Sequence, residues 1–211
     1  RTGAVANLMR VNVLKRMESS VNSFRITLSR ILNGCEELRA RLDDPMAMGA
    51  GGYDASGVED GMDDDDAEEL ERGGKVRVDL RDVDALRLRS DLDFDITVLS
   101  RLLAYANAVT PERDAKLNQL HDFIVDKVND PYNPGNRKVL VFTAFADTAD
   151  YLFDELAPRL KDELGLECAE VAGSANRTYS LKLRRATFEN ILAHFSPVSK
   201  ELPAGARAQG E

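Results

Sequence analysis

Lys138–Thr143 reads KVLVFT, a short run rich in β-branched and apolar residues. Such a run is typical of a strand that is buried on both faces of a parallel sheet. A helical pattern follows it, with Gly165 as its end and Pro158 expected to kink or split it. The apolar positions of this predicted helix are Ala149, Leu152, Leu156, Leu160 and Leu164.

The next residues repeat this alternation of strand and helix. Leu166–Val171 is predicted as a second strand and Gly173–Asn176 as a turn. A last helix is predicted from Leu181, Ala186 or Phe188, Ile191 and Phe195. This order indicates parallel pairing through a right-handed crossover. Because two strands bury too little for a stable sheet, the α/β region is either incomplete or depends on the helices before it.

The first forty residues carry a heptad-like seam of apolar side chains. Its members are Leu8, Val11, Leu14, Met17, Val21, Phe24, Leu28, Ile31, Cys35, Leu38 and Leu42. The steps of three and four predict a helix of about ten turns. Asn33–Gly34 is a stop signal within it, but the pattern resumes in phase, so we expect a continuous or slightly kinked helix. Such a seam needs a partner helix.

A second helical pattern after Ser90 supplies the antiparallel partner. One face is predicted from Phe94, Val98, Leu102, Tyr105 and Val109, with Leu92, Leu99 and Leu103 beside it. Thr110–Glu112 then offers an N-cap and a proline at a first helical position. The helix that follows is predicted to bury Leu117, Leu120, Ile124 and Val128, with His121 as a flanking surface residue.

The net charge of −9 comes from one insertion. Nine acidic and no basic residues lie between Glu59 and Glu71; removing them from the 37 acidic residues leaves 28, equal to the number of Lys and Arg. Residues 43–80 also hold seven of the 14 glycines, so we expect a disordered insertion, with an acidic decoy or autoinhibitory strip as the alternative. This local acidity does not argue against a nucleic-acid partner.

The predicted fold class is α/β and mostly helical by residue count: a long helical hairpin followed by an incomplete parallel α/β lobe. Its segments are the long helix (1–42), the insertion (43–80), the returning and lead-in helices (81–130) and the α/β half-lobe (131–211). No apolar run reaches the ~18 residues of a membrane span, and no signal segment opens the chain. Arg1 in place of a methionine indicates an internal piece of a longer protein. Cys35 and Cys168 fit neither a metal-binding spacing nor a disulfide framework, which favours a reducing cytoplasm, and both lie in apolar patterns, which favours buried thiols.

Two segments are candidates for contact with phosphates. Thr143 and Thr148 lie where the first strand ends, a place where open parallel sheets bind ligands; the alternative is that Asp147 or Thr148 caps the next helix. Arg177, Lys182, Arg184 and Arg185 form a basic stretch without an acid, which suits nucleic-acid phosphates or equally the exposed face of a helix. Neither a G-x-x-x-x-G-K-[ST] loop nor a nucleophile motif occurs, so no catalytic residue and no metal ligand is predicted.

Four quoted segments carry a family resemblance. KVLVFTAFADTADYLFDEL (138–156) closely resembles the opening of the second RecA-like lobe of Swi/Snf-type helicases of superfamily 2, including helicase motif IV. DAKLNQLHDFI (114–124) is similar to the lead-in helix of that lobe, and LKRMESSVNSFRITLSRIL (14–32) to the inter-lobe helix of bacterial members. AGSANR (172–177) and LRRATFENILAHFSP (183–197) resemble the glycine turn, arginine and helix that follow.

The resemblance implies a P-loop-NTPase-like lobe from an ATP-dependent translocase that acts on DNA or RNA beside a first RecA-like lobe of the same chain. It implies ATP and Mg²⁺ for the whole protein. The phosphate loop, the acidic motif and the arginine finger all lie outside these residues, so we expect no ATPase activity from this chain alone. The candidate nucleic-acid contacts become Thr143, Phe145, Gly173, Ser174, Arg177, Arg184 and Arg185. The alternative is a non-enzymatic module that docks or dimerises through the heptad seam.

Overall fold

The computed structural model describes residues 2–44, 53–54, 77–78, 83–173 and 175–197. The described chain is mostly helical and divides into two compact units, 1–110 and 111–211. Its helices are α1 (Thr2–Ser19), α2 (Val21–Asp43), α3 (Ala85–Asn107), α4 (Ala115–Asn129), α5 (Ala146–Leu164) and α6 (Phe188–Phe195). None of the described helices is both long and apolar enough to cross a membrane.

The long N-terminal helix is interrupted at Ser20 and continues past Asn33–Gly34. Ser20 has an extended backbone (φ −156°, ψ 156°), and its hydroxyl accepts a hydrogen bond from the Ser23 N–H at 3.0 Å. Serine is a favoured N-cap because its oxygen satisfies one of the N–H groups that a helix start leaves without a partner. A glycine within a helix costs about 1 kcal/mol relative to alanine, which the packing of α2 evidently offsets at Gly34. The helix is therefore continuous at Asn33–Gly34, whereas its interruption lies at Ser20, thirteen positions before Asn33, and was not predicted.

Helices α2 and α3 pack as antiparallel neighbours, as predicted. Leu28 and Leu32 of α2 are buried, as are Leu92 and Ala106 of α3. At the far end of α2, Arg39 bonds Asp93 at 2.6 Å and Asp43 bonds Arg89 at 2.5 Å, which places the end of α2 beside the start of α3. Each buried leucine stabilises the pair by roughly 1.5–3 kcal/mol, whereas exposed ion pairs contribute about 0–1 kcal/mol. Apolar burial therefore holds the hairpin together.

The predicted packing face of α3 is wrong by about a third of a turn. Phe94 and Tyr105 are 69% and 66% exposed, and Val98 and Leu102 are also exposed. The face that packs on α2 instead contains Leu92 and Ala106, with Leu99 and Leu103 half-buried between them. Both stripes have helical spacing, so periodicity alone did not distinguish the buried one.

The heptad seam is not buried at the positions of α1 whose side chains the structure describes. Val11, Leu14 and Met17 are exposed, whereas the polar side chains of Asn12 and Arg16 are buried. Helices α1 and α2 meet at an extended residue, so the seam does not run straight from one into the other. Within α1 the prediction of a buried seam is therefore wrong; within α2 it is confirmed at Leu28.

The second unit begins with a 3-10 turn, Pro111–Arg113, and α4 starts at Ala115. The predicted start at Pro111 is wrong because Asp114, one turn later, caps the helix: its Oδ1 accepts from the N–H groups of Lys116 (3.1 Å) and Leu117 (3.0 Å). Its Oδ2 accepts from the Tyr151 hydroxyl of α5 at 3.0 Å. A single buried carboxylate thus starts α4 and ties it to α5.

The apolar face predicted for α4 is confirmed, but His121 is not a surface residue. Leu117, Ile124 and Val128 are buried. The His121 ring is buried beside them, with Nδ1 3.3 Å from Oδ1 of Asp122 and Nε2 2.9 Å from Oε2 of Glu163 on α5. The imidazole body is apolar enough to pack in the core while its nitrogens reach carboxylates.

Helix α5 keeps its predicted span. Pro158 lies inside it without splitting it, so the predicted split is wrong. Gly165 ends the helix with a left-handed backbone (φ 70°), and its N–H donates to the carbonyl of Lys161 at 2.9 Å. This C-cap confirms the predicted end, since glycine adopts a positive φ at little cost.

The predicted parallel sheet is not present among the described residues. The second predicted strand is confirmed as β3 (Cys168–Ala172), but it pairs antiparallel with β4 (Ala175–Tyr179), in the register Cys168↔Tyr179 and Ala172↔Ala175. Gly173 has φ 53°, a conformation that lets the chain reverse within a tight hairpin. Lys138–Thr143 belongs to no strand. The RecA-like lobe therefore stays a prediction.

The last helix and the insertion differ from their predictions in extent. Helix α6 begins only at Phe188, where the hydroxyl of Thr187 caps it by accepting from the Asn190 N–H at 3.2 Å; residues 181–187 form a loop.

Within the insertion (43–80), Tyr53–Asp54 and Arg77–Val78 form a short antiparallel ladder (β1 and β2). The rest of the predicted disorder, from 45 to 52, 55 to 76 and 79 to 80, lies outside the described residues.

Candidate nucleic-acid interface

Thr143 and Phe145 are engaged inside the second unit. The Thr143 hydroxyl accepts from the Phe145 N–H at 3.3 Å, and the Phe145 side chain is buried. Phe145 occupies the N-cap position of α5 without a side-chain hydrogen bond. Asp147 and Thr148 lie within the helix, so the alternative that either one caps it is wrong. With an acidic residue already in the first turn of α5, this helix start offers less attraction to a phosphate.

Arg177 lies on β4, where its guanidinium is surrounded by carboxylates. Its Nε donates to Oε2 of Glu170 at 2.7 Å, Nη1 to Oδ1 of Asp154 at 2.9 Å and Nη2 to Oδ1 of Asp150 at 2.9 Å. The guanidinium carbon also lies 4.7 Å from the centre of the Phe153 ring, within the range of a cation–π contact. We call these five residues the Arg177 cluster.

The Arg177 cluster fastens the β3–β4 hairpin to α5. Asp150, Phe153 and Asp154 share one face of the helix at i, i+3 and i+4 spacing, and Glu170 pairs with Arg177 across the two strands. Three carboxylates around one guanidinium leave the cluster net negative. Among the candidate contacts, Arg177 is therefore occupied by structural bonds and surrounded by charges that repel phosphate.

Burial and the ion pairs together shift the pKa values of Glu170 and Arg177. It raises the pKa of Glu170, whose side chain is 5% exposed; the bond from Arg177 opposes this rise, and the charge of Asp150 adds to it. For Arg177, burial acts to lower the pKa, but the bond to Glu170 and the charges of the three acids leave it above its ordinary value. The guanidinium is thus positively charged among these carboxylates.

Arg184 and Arg185 are placed differently. They lie with Lys182 in the loop between β4 and α6, and all three side chains are exposed. The loop is tied to the first turn of α6, where Nδ2 of Asn190 donates to the carbonyl of Arg185 at 3.0 Å. None of these three cations forms an ion pair with a described residue, so their charges are available to an anionic partner.

The candidate contacts consequently fall into separate groups. Arg184 and Arg185 are adjacent, but neither shares a hydrogen bond or ion pair with Thr143, Gly173 or Arg177 in the described chain. Gly173 forms the turn of the β3–β4 hairpin, and Ser174 lies outside the described residues. The acids of the Arg177 cluster were missed by the sequence analysis, although the i, i+3, i+4 spacing on α5 is the signal that indicates a shared face.

Comparison with known proteins does not assign the chain to a family. No family model matches the chain, and neither a curated protein nor a solved structure matches it. In the part of the chain that the structure describes, no group of three or more His, Cys, Asp or Glu side chains could hold a metal ion.

Proposed function

We propose that the chain is part of a Swi/Snf-type ATP-dependent helicase or translocase, to which it contributes a helical arm and part of the second RecA-like lobe. The support is the resemblance to that family, in the family's order, of five segments: 14–32, 114–124, 138–156, 172–177 and 183–197. The helical hairpin of α2 and α3 is the element that the proposal assigns to the arm. The partners in this proposal are DNA or RNA and the first lobe of the same protein.

The observation that carries nucleic-acid binding is the loop with Lys182, Arg184 and Arg185. Three exposed cations that form no ion pair with a described residue lie within four residues. The charge of the chain is balanced outside its acidic insertion. Lys and Arg bind phosphates by displacing condensed counterions, which makes binding independent of sequence and dependent on salt. We assign these side chains to the backbone of the nucleic acid rather than to its bases.

ATP and Mg²⁺ enter the proposal only through the whole protein. Phosphoryl transfer needs a phosphate loop, a held magnesium ion and an arginine in place together. The described side chains offer no donor set that fits Mg²⁺, and the sequence has no phosphate loop. No catalytic step is therefore assigned to residues of this chain.

The test is salt-dependent binding to labelled duplex DNA, single-stranded DNA and RNA, measured by fluorescence anisotropy. The double variant R184E/R185E removes two contacts, so the slope of log K against log salt should fall by about 1.8 on a duplex, at about 0.9 per contact. The matched control is R87E/R101E, which changes the same charge at two exposed arginines of α3. An equal effect of both variants would show that only net charge matters and would remove the assignment.

A second candidate function is a non-enzymatic module that docks or dimerises through its helices. The observation that favours it is the exposure of apolar side chains on α1 (Val11, Leu14 and Met17). Multi-angle light scattering distinguishes the two: a dimer that L14E/M17E converts to a monomer would favour the module. A monomer at all concentrations would leave the helicase proposal as the better one.

A further inference from the structure

Two exposed aromatic rings bracket the loop between β4 and α6. Tyr179, the last residue of β4, is 37% exposed, and Phe188, the first residue of α6, is 52% exposed. The exposed cations between them are Lys182, Arg184 and Arg185. We call these five residues, with the loop that joins them, the aromatic–basic segment.

The loop of this segment is held by two hydrogen bonds. The Leu183 N–H donates to the carbonyl of Leu181 at 3.1 Å, which closes a three-residue turn with Lys182 at its apex. Nδ2 of Asn190 donates to the carbonyl of Arg185 at 3.0 Å, so Arg185 lies beside the first turn of α6. The two leucines are half-buried, whereas Lys182 is exposed. Because the loop is already ordered, a ligand that binds it loses less free energy to ordering.

The loop also begins with a strained residue. Ser180 has φ 60°, and among the described residues it is the only one other than glycine with a positive φ. A serine in this left-handed conformation is less stable than one in an ordinary loop conformation, and such residues cluster at ligand-binding sites. The strain thus points to a ligand at the same segment as the exposed rings and cations.

Charge and exposed rings together select the class of ligand. Between 178 and 196 the sequence has three Lys or Arg residues and a single acid, Glu189, so the segment attracts anions. An apolar protein surface that covered the rings would also have to desolvate the cations. A nucleic-acid strand supplies phosphates to the cations and bases to the rings. In a duplex the bases are stacked on one another, whereas in a single strand their faces are open to aromatic side chains.

We propose that the aromatic–basic segment binds single-stranded nucleic acid. Bases stack on Tyr179 and Phe188, and the phosphates between those bases contact the three cations. This inference rests on the nucleic-acid binding proposed above, and it adds the class of substrate and two residues that contact bases. The rings give little sequence preference, because every base has a face that can stack.

The experiment uses the absence of tryptophan from the chain. F188W keeps a ring that can stack and places a single fluorescent reporter at the site, where a stacked base quenches its emission. Y179W tests the second ring in the same way. The matched control is Y132W, which makes the same kind of change at a loop residue of the same unit that is 90% exposed.

Each variant of the full chain is titrated at low ionic strength with oligo(dT) and oligo(U) of about 12 nucleotides, and with the same oligo(dT) annealed to its complement. We expect both single strands to quench F188W, the duplex to quench it little, and none of the three to quench Y132W. Quenching by oligo(dT) alone or by oligo(U) alone would also support stacking and would identify the sugar of the preferred strand.

Anisotropy with labelled strands separates the contribution of the rings from that of the charges. F188A should weaken binding of the single strand by about fivefold or more, as expected for one lost base stack, and binding of the duplex by less than about twofold. Its control is F123A, at an exposed phenylalanine of α4, which should change neither affinity.

The outcomes distinguish this inference from the proposed function. Equal weakening of single-strand and duplex binding in F188A, or equal quenching of F188W and Y132W, would overturn base stacking and leave the effect of R184E/R185E on the salt dependence untouched. An F188W emission that is already blue-shifted in the free chain and unchanged by every strand would mean that another part of the chain covers the ring, and it would overturn stacking too. If no strand binds the unmodified chain, the proposed nucleic-acid binding fails and stacking fails with it.

Discussion

The Arg177 cluster gives the most quantitative prediction, through the variant R177M. Methionine keeps much of the volume of the arginine stem but removes every ionic bond of the guanidinium. The exposed carboxylates of Asp150 and Asp154 then return to water at little cost. Glu170 does not, because its side chain is 5% exposed and faces α5. The variant thus leaves a carboxylate buried without its cation.

The expected loss follows from these exposures. Removing one partner of a buried ion pair costs roughly 3–5 kcal/mol, but Arg177 is itself 37% exposed, so solvent screening reduces the loss. The two exposed pairs add at most about 1 kcal/mol each. We expect R177M to lower the free energy of unfolding of the second unit by about 2–3 kcal/mol at pH 8.

The loss should depend on pH with a definite sign. Burial raises the pKa of Glu170 in the folded chain, so the folded state holds that proton more tightly than the unfolded state. Protonated Glu170 therefore stabilises the folded state. This contribution is fully present below the pKa that Glu170 has in the unfolded chain, and it is lost as the pH rises through the pKa that Glu170 has in the folded chain. Without Arg177, which opposes the rise, the folded pKa increases further. R177M should therefore be least damaging below the ordinary pKa of a glutamate and increasingly damaging as the pH rises above it.

The assay is urea unfolding followed by circular dichroism at several pH values between 5 and 8. R184M is the control, because it makes the same substitution in the exposed loop and should change stability by less than about 0.5 kcal/mol. The double variant E170Q/R177M should recover part of the loss and flatten its pH dependence. A loss that is the same at every pH, or no recovery in the double variant, would refute this account of the cluster.

Three further predictions concern caps and thiols. S20A should lower the stability of the α1–α2 pair by about 1 kcal/mol, since it removes the cap of α2, and S20G by only a few tenths; equal effects in urea unfolding would contradict this. D114N keeps the volume and an oxygen that can cap α4, but its N–H₂ group cannot accept from the Tyr151 hydroxyl as Oδ2 does, so thermal unfolding should show a loss of about 1–2 kcal/mol. Burial raises the pKa of the Cys35 and Cys168 thiols, so alkylation by iodoacetamide at pH 7 should be slower in the native chain than in urea, and equal rates would contradict the burial.

The sequence predicts the end of α5 and the buried face of α4 correctly, because both depend on residues within the helix itself. Gly165 ends α5 because a positive φ suits glycine, and the apolar face of α4 follows from its spacing alone. The start of α4 was missed because two capping signals, Thr110 and Asp114, stand four residues apart. Which one caps depends on a tertiary bond, from Tyr151, that sequence does not display. The same limit hid the environment of His121, whose carboxylate partner Glu163 lies on another helix.

Long-range pairing was predicted less well, and the two strands show why. A right-handed crossover and a hairpin both place β3 correctly, since each needs a strand at 168–172. What distinguishes them is the strand that follows Gly173, and Ala175–Tyr179 contains Thr and Tyr, which favour strands, beside Asn and Arg, which do not. The tight turn brings these residues alongside β3 at once, whereas parallel pairing with 138–143 requires closure over the whole of α5.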